Sequence, residues 1–156
     1  MRRRVVVTGY GIIAPIGNDA ASVWESVSQS RGGIDTITRF DPEGFETTFA
    51  GEVKGFDAGE IVGRKEARRM DRYTHYAVAT ALQAREHAAL GPNGHALDPR
   101  RIGVLIGTGM GGVESMEQGV EALVKGGPRR VSPFIVPAML PNMASGNVSI
   151  ALGATG

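Results

Sequence analysis

Two residue patterns in this 156-residue chain have spacings that chemistry uses. The first is Gly107-x-Gly109-x-x-Gly112, which follows the apolar run Ile102–Ile106 and precedes a helical stretch, the placement of a dinucleotide phosphate loop. Such a loop needs an acidic side chain about 20 residues on to hold a ribose, and no Asp or Glu follows Glu121. Arg129 and Arg130 stand where a 2′-phosphate would need them, but Pro133 and Pro137 spoil the strand that should present the ribose contact. The opening loop Gly9-x-Gly11-x-x-Ala14 imitates the same fingerprint, and Pro15-Ile16-Gly17 keeps a helix from starting there. Glycines that let backbones approach closely explain both loops better than a nucleotide does.

The second pattern is cationic. On a helix, Lys65, Arg68, Arg69 and Arg72 are spaced i, i+3, i+4, i+7 and share one arc of roughly 100°, with Glu66 and Asp71 pointing elsewhere. Like charges on one face repel, so folding alone gives no reason for them; an acidic partner or a merely solvated face does. Gly126-Gly127-Pro128-Arg129-Arg130 adds a stiff loop with two more guanidiniums.

Other chemistries lack their residues. The chain has no cysteine, which removes disulfides, zinc–thiolate sites and thiol nucleophiles from it. Its histidines, His75, His87 and His95, make no HxxxH pair, and the first two fall about 120° apart on one helix. Neither a Gly-x-Ser-x-Gly elbow nor a Gly-x4-Gly-Lys-Ser/Thr loop is present. A net charge of +1 excludes a strongly basic nucleic-acid binder. No apolar stretch approaches the roughly 20 residues of a membrane span, and Val5–Val7 is too short for a signal-peptide core, so the expectation is a cytoplasmic protein.

The elements that must carry these residues read as α/β. Val5–Val7 and Ile102–Ile106 are expected as short buried strands, each running into a glycine loop. A helix over about 20–29, capped by Asn18 or Asp19, should turn Val23, Trp24 and Val27 inward. Residues 34–57 read as an excursion that packs Phe40, Phe45, Phe49 and Phe56 down on the body. A short helix near Arg64 precedes a long, small-residue helix over about 70–90 that must be buried; residues 93–101 form a polar loop. Two further helices, over about 113–125 and 142–152, flank a proline-rich stretch. Two strands are few for a parallel or mixed sheet, so the chain looks incomplete.

Taken in order, these motifs resemble one family. Val5-Val6-Val7-Thr8-Gly9-x-Gly11 with Pro15 and Gly17 resembles the start of the β-ketoacyl-acyl-carrier-protein synthases. Arg64-Lys65-Glu66, Met70-Asp71, Ile106–Gly112, Gly126-Gly127-Pro128-Arg129, Ser132-Pro133-Phe134 and Asn142-Met143 resemble the type II elongation synthases of fatty-acid synthesis in order and spacing. The resemblance covers all 156 residues.

It implies a thiolase-like fold of layered αβαβα type, of which this chain is the N-terminal part, ending just before a catalytic cysteine. The parent would be an acyltransferase without cofactor or metal. It joins an acyl thioester to malonyl-carrier protein by decarboxylative Claisen condensation, with two histidines stabilising the enolate oxygen. By matching position, Met110 and Phe134 fall at the acyl pocket, against ordinary core as the plainer alternative. Lys65, Arg68, Arg69, Arg129 and Arg130 match a docking surface for an acidic acyl carrier protein. The expected partners are that carrier, acyl and malonyl thioesters and, in the full-length enzyme, a second copy; nucleic acid and membrane are not among them. The chain by itself is expected to be inactive and not to fold as a stable monomer. Two alternatives stay open: a non-catalytic chain-length-factor partner and a dinucleotide-binding domain.

Overall fold

A computed structural model describes residues 3–91 and 96–156. The chain divides into two units, one of residues 11–56 and one of the described residues up to Tyr10 together with 57–156.

In the unit of residues 11–56, the first helix, α1, spans Ala20–Ser28. Asp19 caps it through a reciprocal box: its carboxylate accepts the Ser22 N–H at 2.7 Å, and Ser22 Oγ accepts the Asp19 N–H. That N–H bond also holds the Asp19 carboxyl below its ordinary pKa. The helix faces inward differently from its apolar pattern. Ser26 is buried, its hydroxyl donating to the Ile16 carbonyl at 2.7 Å, whereas Trp24 and Val27 are exposed. Of the three residues expected inward, Val23 is half-buried, and the buried position is Ser26, tied to Ile16.

Residues 34–57 form a hairpin. Strands β1 (Ile34–Thr36) and β2 (Phe49–Gly51) pair antiparallel, Asp35 opposite Ala50. Lys54 Nζ bonds the Asp35 carboxylate at 2.8 Å and lowers its pKa. Phe40 and Phe45 meet edge to face at 5.6 Å, and both rings, with Phe49, are exposed. Phe40 and Phe45 thus make a local aromatic pair in place of the expected burial, while Phe56 is half-buried.

The larger unit is helical: α2 (Ala58–Val62), α3 (Arg64–Ala67), α4 (Arg72–His87), α5 (Val113–Gly126), α6 (Ile135–Met139) and α7 (Met143–Leu152). Its core lies where α4 meets α7 and α7 meets α6, with Val78, Ala79, Ala144, Val148 and Ala138 buried. Alanines at this contact let two helix backbones approach, which is what the small-residue run on α4 provides. Pro137 fits inside α6 because the first turn of a helix has no intrahelical acceptor for its N–H.

The expected strands are absent among the described residues. Val5–Val7 is exposed and unpaired, and residues 102–108 carry no regular structure. The second segment keeps a strand's alternation, with Ile102, Val104 and Ile106 half-buried and Leu105 95% exposed. An extended segment turns its N–H and C=O groups sideways and becomes a strand only when a neighbour pairs with them. The sheet present is β1–β2, not one built from these runs.

Candidate functional site

The basic segment is bent, not straight. Helix α3 stops at Ala67 with Arg68 as its C-cap, and Asp71 caps a new helix, α4. The single arc of four cations therefore does not form, because an Asp in extended conformation starts a fresh helix within it. His75 fixes the bend by donating Nε2–H to the Ala67 carbonyl at 2.9 Å. A carbonyl only accepts, so Nε2 carries the proton.

The bend sorts the cations. Arg72 leaves the face and pairs with Glu114 at 2.7 Å. Arg69 pairs with Glu66 at 3.3 Å, so Glu66 does not point away, and its guanidinium lies over the Phe134 ring at 4.9 Å. Lys65 and Arg68 stay exposed and make no ion pair with the described residues.

Arg129 and Arg130 sit on a short 3-10 turn, Pro128–Arg130, directly after α5. Gly127, at φ 74°, makes the sharp exit from α5, a conformation in which a Cβ would be strained. The Arg130 side chain folds back over Gly126, where a Cβ would meet its Cγ at 2.5 Å.

These two arms meet at one groove of about 320 Å3. Arg68 and Met70 line one side, Arg130 and Phe134 another, and Gln118 and Gly119 of α5 form part of its wall. Phe134 is 40% exposed at this groove. The groove joins cationic rim and apolar wall, which suits an acidic surface carrying an apolar side chain.

Met110 is elsewhere. It stands on the loop before α5, 76% exposed, and is not part of the groove's lining. The loop is anchored by Gly112, whose N–H donates to the Met139 carbonyl at 3.0 Å. A Cβ on Gly112 would lie 2.3 Å from the Ala138 carbonyl oxygen, so this glycine permits close approach to α6. At Gly112, then, packing replaces the phosphate loop that its spacing imitates.

Among the described residues no group of three or more His, Cys, Asp or Glu is placed to hold a metal ion, and no helix is long and apolar enough to cross a membrane. His87 stacks with Tyr10 at 4.3 Å; His95 lies outside the described residues.

Among the buried polar groups that sequence reasoning missed, with Ser26 and Thr74, is Asp71, which is 6% exposed. Besides capping α4, its carboxylate accepts the Ser115 N–H at 2.7 Å, in the first turn of α5. The clue was present, since Asp before a helical run is a cap signal, but its long-range partner has no signature in sequence.

Comparison with known proteins agrees with this architecture. A 3-oxoacyl-[acyl-carrier-protein] synthase 2 of Staphylococcus aureus (strain N315) is 49% identical over 154 residues, covering 99% of this chain and 37% of that protein. Among solved structures, the ishigamide ketosynthase/chain length factor matches with TM-score 0.87 and 30% identity, over 99% of this chain and 38% of the other. A type II polyketide ketosynthase, solved with its acyl-carrier protein and bound to a hexaketide, matches with TM-score 0.79 and 28% identity, over 99% of this chain and 41% of the other. The chain thus spans little more than a third of the curated relative's length. Its fold is the thiolase-like one of the ketosynthases, α/β in class, represented by its N-terminal portion. With residues 2–156 matched by the family model, the chain belongs to the β-ketoacyl synthases, as their N-terminal domain.

Proposed function

We propose that the chain is the N-terminal part of a 3-oxoacyl-acyl-carrier-protein synthase that elongates acyl chains by decarboxylative condensation with malonyl-carrier protein. The observation carrying this reading is the convergence of Arg68, Arg130 and Phe134 on one groove from separate stretches of sequence. An acidic carrier would be steered by Lys65, Arg68, Arg129 and Arg130, and Arg69 would order the groove's edge through Phe134. The relatives' names support both the reaction and the carrier.

The chemistry needs a thiolate nucleophile, and the chain has no cysteine, so that group belongs to a downstream part in this reading. Met110 is assigned to the acyl pocket, where a flexible thioether adapts to chain length. A homodimer and a cytoplasmic location complete the proposal. Sedimentation giving only monomer at every concentration would count against the dimer.

The test is an assay of the natural protein containing this chain, with acyl- and malonyl-carrier protein. Release of carbon dioxide together with a 3-oxoacyl product is expected; neither appearing overturns the proposal. The likeness to a ketosynthase/chain length factor favours one second reading, a non-catalytic partner subunit. A residue other than Cys at the downstream nucleophile position, with activity only in the presence of a second subunit, would select it.

A further inference from the structure

We propose that Asp71 is a positioning residue that ties the carrier-docking segment to the loop bearing Met110. Helix α5 begins at Val113 with Gly112 as N-cap, and no side chain of that loop caps it. Its first-turn N–H groups therefore need an acceptor from elsewhere. Asp71 supplies one, 2.7 Å from the Ser115 N–H, and places a buried negative charge at the positive end of the α5 dipole. The same carboxylate accepts the Tyr73 N–H at 3.4 Å and so serves the start of α4 as well. Next to it, Arg72 and Glu114 join the same two helix ends by an ion pair.

One carboxylate thus holds two helix origins together. On the α4 side, Asp71 closes the bend that presents Lys65 and Arg68. On the α5 side lies the loop 107–112, held to α6 through Gly112. Any shift of the basic segment on carrier docking is transmitted through Asp71 to the first turn of α5 and to Met110. The functional half of this inference rests on the proposed condensing reaction; the structural half does not.

Two readouts separate them. In the natural protein containing this chain, Asp71→Ala should speed amide hydrogen exchange at residues 113–116 by about fivefold, the effect of losing a helix cap. Exchange in the middle of α4 should stay within about twofold. Unchanged exchange at 113–116, or equal acceleration throughout, overturns the bridge whether or not the protein condenses acyl chains. If Asp71→Ala does not fold, Asp71→Asn keeps an oxygen acceptor and removes only the charge; exchange at 113–116 should then accelerate by about threefold, and unchanged exchange overturns the bridge. With exchange accelerated, the acyl chain-length profile should broaden while the KM for carrier-bound substrate rises. An unchanged profile and KM, in a protein that does condense, overturns the coupling to Met110. A protein that condenses nothing fails the functional reading and leaves the bridge standing.

Discussion

The guanidinium carbon of Arg69 sits 4.9 Å from the centre of the Phe134 ring, joining two segments far apart in sequence. Contacts of this kind contribute about 0.5–1 kcal/mol at exposed sites. A double-mutant cycle of Arg69→Ala and Phe134→Ala, read by chemical denaturation, should return a coupling of about that size. Additive single effects would mean the stack contributes nothing.

Because Arg69 is engaged by Glu66 and Phe134, the free charge of the segment rests on Lys65 and Arg68. Reversing both to glutamate should slow association with an acidic carrier protein by about tenfold at low salt, the gap narrowing as salt rises. Turnover of a small thioester should hardly change. Equal loss with both substrates would point to damage in the fold.

Met110 is 76% exposed on the loop before α5. Met110→Phe adds bulk at the position proposed to line the acyl pocket. The same variant should shorten the longest acyl chain accepted. Product analysis by mass spectrometry decides; an identical profile removes Met110 from the pocket.

Two glycines of one motif should respond in opposite ways. A methyl on Gly112 would lie 2.3 Å from the Ala138 carbonyl oxygen, whereas one on Gly109 meets nothing within 4 Å. Gly112→Ala should therefore cost about 1–3 kcal/mol by overpacking, and Gly109→Ala close to nothing. Denaturant midpoints measure both, and equal effects would disprove the packing role.

Burial raises the Tyr76 phenol above its ordinary pKa, and Glu114 adds to the rise while Arg72 opposes it. The fold holds the neutral form, so this group's contribution to stability is complete below the ordinary tyrosine value. It is lost as pH climbs through the raised one. Phenolate absorbance should show a late-titrating tyrosine that disappears in Tyr76→Phe.

The helices were legible because their signals are local. Asp19 before α1 and the Gly126-Gly127-Pro128 break after α5 act within a turn of their own residues. Of the loop glycines read as close-packing positions, Gly111 and Gly112 are so, whereas a Cβ on Gly107 or Gly109 would meet nothing within 4 Å. What failed was what depends on distant partners. Periodicity turned Trp24 inward, but a serine bond to Ile16 set the face. A continuous basic arc followed from 3.6-residue spacing, but Asp71 used its carboxylate to start a new helix and to reach Ser115. The groove itself was half visible, as two separate basic clusters whose meeting at Phe134 only the tertiary structure provides.

Among the described residues nothing pairs with the amide and carbonyl groups of Val5–Val7, which lie beside three exposed β-branched side chains. Such a ribbon would template growth of foreign strands along its border. Arg3 and Arg4 stand immediately before it, so two copies brought border to border would set cation against cation.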